Sequence, residues 1–150
     1  MLATHPQNAK VLAFLAERSS GSPVVVAPDA VPNAYFACGC HPDIVERLWD
    51  QLGKTLPADC RCVVHGTPAL AHPQTGVILG VGIGTAYGLW LSGEASVEAA
   101  RAGVTASTTW SSGDIMHIDS ELGEGWVFGA WLASESNWCS SAYAAAQSAA

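Results

Sequence analysis

The stretch 76-GVILGVGIGTAYGLWL-91 decides how this chain folds, because its five glycines, Gly76, Gly80, Gly82, Gly84 and Gly88, all occupy even positions. In one continuous strand, a period of two would gather every glycine on one face. Val77, Leu79, Val81, Ile83, Tyr87, Leu89 and Leu91 would lie on the other, leaving the glycine face nearly bare backbone. Strands of that length are rare. A hairpin turning at Ile83-Gly84 is the preferred reading: Gly82 then pairs with Thr85 and Gly80 faces Tyr87, whose ring covers the backbone that the glycine exposes.

Upstream, HPQNAKVLAFLAERSSG predicts a helix over 7–18, started by Pro6, striped by Val11, Leu12, Phe14 and Leu15, and stopped by Gly21. PVVVA (23–27) reads as a short strand, PDAVPN (28–33) as a loop and AYFAC (34–38) as a second short strand. A helix over 42–55 carries Ile44, Val45, Leu48, Trp49 and Leu52 on one face that must be buried, with Asp43 near its positive end and Lys54 near its negative end. CRCVVHG (60–66) reads as a strand and TPALAHPQTG (67–76) as a turn-rich connection.

Downstream, GEASVEAARAG predicts a helix over 94–102, closed by Gly103. TASTTWSSG (105–113) is polar and irregular. DIMHI (114–118) and GWVFGAWL (125–132) read as strands joined through DSELGEG as a second hairpin. On GWVFGAWL, Trp126 and Phe128 point one way while Val127 and Trp131 point the other, so both faces of that strand need cover. SESNWCSSAYAAAQSAA begins with a Ser/Asn cap and continues as an alanine-rich helix. No internal repeat is visible. Hairpins and short links dominate, so the expected fold is one α+β domain over 1–150. It is a two-layer sandwich with a mostly antiparallel sheet of about five to seven short strands and helices packed against it.

Hydrophobic residues make up 49% of the 150 and charged ones only 13%, about half the usual quarter. The surface must then include apolar groups, and a homo-oligomer, with a homodimer as the simplest form, is the expected state. Six Lys and Arg against 13 Asp and Glu leave a charge of −7, which argues against nucleic acid and anionic membranes as partners. The N-terminal 20 residues have no early basic cluster and only a short apolar run, so they do not read as a secretion signal. The glycine-rich 76–91 stretch falls short of the roughly 20 residues a membrane-spanning helix needs. A soluble cytoplasmic protein is expected. There, five cysteines are free thiols or ligands.

Candidate chemistry gathers first in FACGCHPDIVERLW (36–49). A thiol at Cys38 or Cys40 just before a helix feels the positive end of the helix dipole, and His41 can accept its proton, which makes a nucleophilic or redox site. This region resembles thioredoxin-type proteins over roughly 22–70, through the order AYFA, cysteines, helix and then GTPAL with Pro68; the cysteine spacing here is C-x-C where that family has C-x-x-C. The resemblance implies a redox site at Cys38 and Cys40 faced by Pro68. A second reading is zinc, held by a subset of Cys38, Cys40, His41, Cys60, Cys62 and His65. On a strand, C-x-C puts both sulfurs on one face about 6.5 Å apart and turns His65 to the other.

The third reading is architectural. Cysteine packs as a small hydrophobe, with Cys60 and Cys62 as consecutive inward residues of one strand, Cys38 as the last inward residue of another, and His41-Pro42-Asp43 as a helix start. This reading is preferred, and with it no cofactor. His-Pro recurs at 5–6, 41–42 and 72–73 as a turn or helix-start device. A further candidate general base is His117 beside Asp119, which share a face if 114–118 continues as a strand; a solvated hairpin edge is the simpler reading. GVGIGTAYG does not fit a phosphate cradle, since Thr85 stands where the third glycine is needed. Six tryptophans favour half-buried pockets and contacts. The expected function is therefore a small binding or accessory domain with an aromatic-lined surface for a protein partner or a small apolar ligand. The alternative is a Cys/His-based thiol redox enzyme or zinc protein using 38–41 and 60–65.

Overall fold

In the computed structural model, which describes residues 5–19, 22–110 and 112–148, a 3-10 turn at Pro6–Asn8 leads into helix α1 (Ala9–Glu17). Strand β1 (Val25–Val26) and the short helix α2 (Ala34–Ala37) follow. Helix α3 (Pro42–Glu46) continues through a π-helical segment, Arg47–Leu52, and a 3-10 turn, Gly53–Thr55. Then come strands β2 (Arg61–Val64), β3 (Thr67–Ala71), β4 (Ile78–Ile83) and β5 (Ala86–Trp90) and helix α4 (Glu94–Arg101). Strands β6 (Ser107–Thr109) and β7 (Ile115–His117), helix α5 (Ile118–Leu122), strand β8 (Trp126–Phe128) and helix α6 (Glu135–Gln147) complete the order.

Six strands form one fully antiparallel sheet in the order β1-β2-β3-β4-β5-β8, while β6 and β7 pair separately. The expected α+β sandwich is present. Helices cover both faces of the sheet: residues of α3, α4 and α6 pack with Val63, Leu70, Tyr87 and Leu89, and residues of α1 and α5 pack with Val64, Ala69, Val81 and Phe128. Asn8 ties α1 to β4, its Nδ2 donating to Gly76 O (2.6 Å) and its Oδ1 accepting from Ile78 N (3.0 Å).

The β4–β5 hairpin forms, but its turn is Gly84-Thr85, with Ile83 opposite Ala86, Gly82 opposite Tyr87 and Gly80 opposite Leu89. The register is therefore two residues away from the expected one. Leu79 is an extra residue against β3, because Ala71 pairs with Ile78 and Leu70 with Gly80. The glycines consequently divide between the faces: Gly80 and Gly82 lie beneath Leu48 and Ile44 of the α3 run, and Gly88 lies beneath Ile118 and Trp126.

Other elements depart from expectation. AYFA is helical, started by Asn33 in a left-handed conformation (φ 53°), so the strand implied by the thioredoxin-type resemblance is absent. The 67–76 connection contains β3, which tolerates Pro68 near its start, where strands accept a missing N–H. DIMHI pairs with the supposedly irregular 107–109 segment, and DSELGEG supplies α5 in place of a turn. Strand β8 pairs with β5 instead, placing Trp126 and Phe128 on one face and Val127 on the other. Helix α1 ends at Glu17; Gly21, its expected stop, lies outside the described residues.

One polar cluster is sealed inside this frame. Arg47, from the π-helical turn, donates from Nη2 to Glu135 Oε1 (3.0 Å) and to Leu132 O (2.8 Å), and from Nε to the Tyr87 hydroxyl (3.3 Å). The Tyr87 hydroxyl in turn donates to Glu135 Oε1, and Glu135 Oε2 accepts from Ala130 N (2.7 Å). Burial disfavours the Arg47 charge, but the hydrogen bonds to Tyr87 and Glu135 outweigh it and hold the guanidinium charged. Burial, and then the bond to Glu135, pushes the Tyr87 hydroxyl up to about 12.

Truncating one partner of such a pair strands the other charge, at a cost of about 3–5 kcal/mol. Glu135→Ala should lower unfolding free energy by that amount in urea titrations. Arg47→Met combined with Glu135→Leu should cost less than Glu135→Ala alone, because no charge is left unpaired.

Candidate functional site

The three His-Pro pairs prove to be one device. His41 Nδ1 accepts from Asp43 N (3.1 Å) and His5 Nδ1 from Gln7 N (3.1 Å), while His72 Nδ1 accepts from Gln74 N and Thr75 N (both 3.2 Å). His41 thus caps α3, as a helix start should, and its ring is turned outward beside Asp43 (3.8 Å).

All five cysteines are free thiols. Cys38, Cys60 and Cys139 sit in the cluster under α3 and α6, with Cys40 at its margin, whereas Cys62 belongs to the cluster on the opposite face, its Sγ against Ala69 O (3.8 Å). Cys60 ends a 3-10 turn (Ala58–Cys60) that precedes β2, and this breaks the period that would have put Cys60 and Cys62 on one face. Among the described residues, no three His, Cys, Asp or Glu side chains are grouped so as to hold a metal ion. His117 closes β7 and Asp119 already belongs to α5, so they are not neighbours on a strand face.

Cys38 lines a smaller cleft of about 270 Å³ beside Val31 and Pro32, and Cys40 borders a larger one. The cleft, of about 410 Å³, lies between the end of α1, the β2–β3 turn and the β4–β5 turn, and Arg18, Cys40, His65, Gly66, Gly82 and Gly84 contribute to its wall. Gly82 is required beneath the sulfur, since a Cβ there would come within 2.6 Å of Cys40 Sγ. Burial pushes the Cys40 thiol up to about 11; the backbone N–H of Gly84 opposes this, and Cys38 adds to it. Burial likewise carries Cys60 to about 11 and Cys62 and Cys139 to about 12. The helix-end activation considered from the sequence is outweighed by desolvation.

The cleft does not stop at Cys40. Two neighbouring depressions share wall residues with it and complete a groove around Arg18: one of about 450 Å³ bordered by Arg18, Ile83, Gly84 and Trp110, and one of about 360 Å³ walled by Phe14, Met116, His117 and Glu121. Arg18 borders every part of this groove, with its guanidinium carbon 4.2 Å from the centroid of the Phe14 ring. Among the described residues Arg18 makes no ion pair. Ile115, 63% exposed, extends the apolar surface beyond Trp110. The groove therefore joins Cys40 and His117, two candidates from different parts of the sequence, through residues the sequence did not single out. Phe14 was legible only as part of an apolar stripe, and Arg18 only as one of six Lys and Arg residues in the charge balance. Comparison of the chain with protein-family models, curated proteins and solved structures returned no match.

The folded chain holds these thiol protons more tightly than the unfolded chain, whose cysteines titrate near about 8.5. The resulting stability is complete below that pH and is lost as pH rises through the folded values, about 11 for Cys40 and Cys60. Urea midpoints should be level up to about pH 8 and fall steadily above about pH 9. At pH 8, Cys40 should react with iodoacetamide on the order of 100-fold more slowly than a free thiol, and fast alkylation of the native protein would contradict this placement.

Proposed function

We propose that this chain is a binding module whose groove holds an extended segment of a partner protein, with a carboxylate of that segment set against Arg18. The observation that carries this reading is the position of Arg18. It is an exposed guanidinium without an ion pair among the described residues, where the depressions of the groove meet, with Phe14, Ile83 and Trp110 beside it and Asp114 and Glu121 further along the wall. Aromatic anchors flanking one directed charge are what short peptide motifs use for affinity and orientation.

Thiol redox chemistry is the rival use of the same groove. A Cys40 thiol held neutral by burial is a weak nucleophile, which favours binding over turnover. A reducing cytoplasmic setting suits five free thiols, and self-association through the remaining apolar surface, as a homodimer, belongs to the same proposal.

Selection of displayed random peptides on the purified protein tests it. Enriched sequences should share an Asp or Glu flanked by apolar residues. Arg18→Glu and Trp110→Ala should each weaken a selected peptide by about 10-fold or more, the range for a charged hydrogen bond or an aromatic anchor. Val97→Ala, an exposed apolar residue of α4 outside the groove, should change nothing. Enrichment indifferent to Arg18 and Trp110 would refute the proposal.

A further inference from the structure

At the far end of β5 lies a second cleft, of about 480 Å³, separate from the groove and walled in part by Gln7, Trp90, Ser92, Ser96, Glu124 and Trp126. Trp90 and Trp126 are direct cross-strand partners. The six-membered ring of Trp126 is buried against Gly88, while its Cδ1 edge faces Gly123. Trp90 presents Cδ1 and Nε1 to Gly125, where a Cβ would sit 3.1 Å from both atoms. The two pyrrole edges thus face the same glycine turn, and that turn walls the cleft. Gly125 cannot be replaced without strain, because its φ is +91° and a Cβ would also come within 2.8 Å of Leu91 O.

The indole N–H groups make the decisive contrast. Trp49 Nε1 donates to Ala69 O (3.1 Å) and Trp138 Nε1 to Glu98 Oε2 (2.9 Å). Neither Trp90 nor Trp126 has an acceptor among the described residues, and neither nitrogen is among the sealed, unsatisfied atoms. A nearly buried indole such as Trp126, 3% exposed, ordinarily satisfies its N–H. Trp126 and Trp90 line the cleft together with Ser92, Ser96 and Gln7, whose side chains carry hydroxyl and amide groups.

We propose that this cleft binds a neutral saccharide. A sugar ring offers a C–H face to an aromatic wall and hydroxyl oxygens to indole, amide and hydroxyl donors, matching the mixed lining. The Glu124 carboxylate, with no Lys or Arg in the wall, turns anions away and accepts from sugar hydroxyls. A quaternary ammonium would suit the aromatic rings and the carboxylate but has no oxygen for the two indole donors.

The test uses the full chain labelled with 15N and follows the six indole N–H signals during titration with methyl glycosides of glucose, galactose, mannose and N-acetylglucosamine and with their disaccharides. At least one should shift the Trp90 and Trp126 signals saturably and leave Trp49 and Trp138 in place. Trp90→Phe, which keeps a ring but removes a donor, should weaken that sugar about 5-fold. Ser96→Trp should abolish binding while the unchanged Trp49 and Trp138 signals report an intact fold. Arg18→Glu, which disables the peptide groove, should leave sugar binding unaltered, so the two sites fail independently. No shift at about 100 mM, where a millimolar binder saturates, would overturn the proposal. So would shifts that persist in Ser96→Trp, or a response to tetramethylammonium alone.

Discussion

The Arg47–Glu135 pair is the constraint around which this fold closes. A guanidinium and a carboxylate are both removed from water, and each is tolerable only because the other, together with Tyr87, Leu132 O and Ala130 N, completes its hydrogen bonds. The contributors come from four separate elements: the π-helical turn after α3, strand β5, the 129–134 link and helix α6. None can move without stranding the others. Backbone features around the cluster follow from this need. Gly129 lies so close to the Tyr87 ring that any Cβ would overlap it, and Trp131 adopts a left-handed φ of 60° that delivers its N–H to the Tyr87 hydroxyl (2.9 Å). Trp131 then places its ring edge-on to Tyr87 and near the Arg47 guanidinium, lending aromatic cover to an otherwise costly cation.

The low charge content follows from the way the sheet is used. Strands β2 to β5 are covered on both faces, so most of their side chains are apolar or absent in both directions and few positions are left for charge. Glycine is what lets the covers approach. Gly80 and Gly82 admit Leu48, Ile44 and Cys40 on one side, and Gly88 admits Ile118 and Trp126 on the other. The cysteines fit the same logic, since small apolar groups fill the narrow spaces that such close helix-on-sheet contact creates.

Period and cap chemistry were legible wherever one face was buried over several residues. The α3 run buries Ile44, Val45, Leu48, Trp49 and Leu52 as its spacing demands, and Gly93 and Gly103 bound α4. The β4–β5 register was not legible for a physical reason: sliding a hairpin by two residues leaves every side chain on its face, so alternation cannot distinguish the two pairings. Helix α5 did leave a signal, Ile118 and Leu122 four residues apart, masked by neighbouring turn residues. The pairing of β8 with β5 and of β6 with β7 left none, because strand partners are chosen by long-range packing. Helix α2 is likewise decided from outside, with Tyr35 held by Asp50 (2.8 Å) and set edge-on to Trp49. The same limit hid the polar cluster and the groove: Arg47 and Glu135 stand 88 residues apart, and nothing local to either announces the other.

Strand β5 links these observations into one functional argument. Its first residues follow the Gly84-Thr85 turn that walls the Arg18 groove, its last residue is Trp90 of the second cleft, and Tyr87 between them is bolted to Glu135. A five-residue strand spans about 17 Å, so both openings are held by one short, rigid segment. Recognition surfaces need loops and aromatic edges presented on a frame that does not yield. The buried ion pair supplies that rigidity at the centre of the strand, leaving its two ends free to carry glycine turns, half-buried rings and unpaired donors.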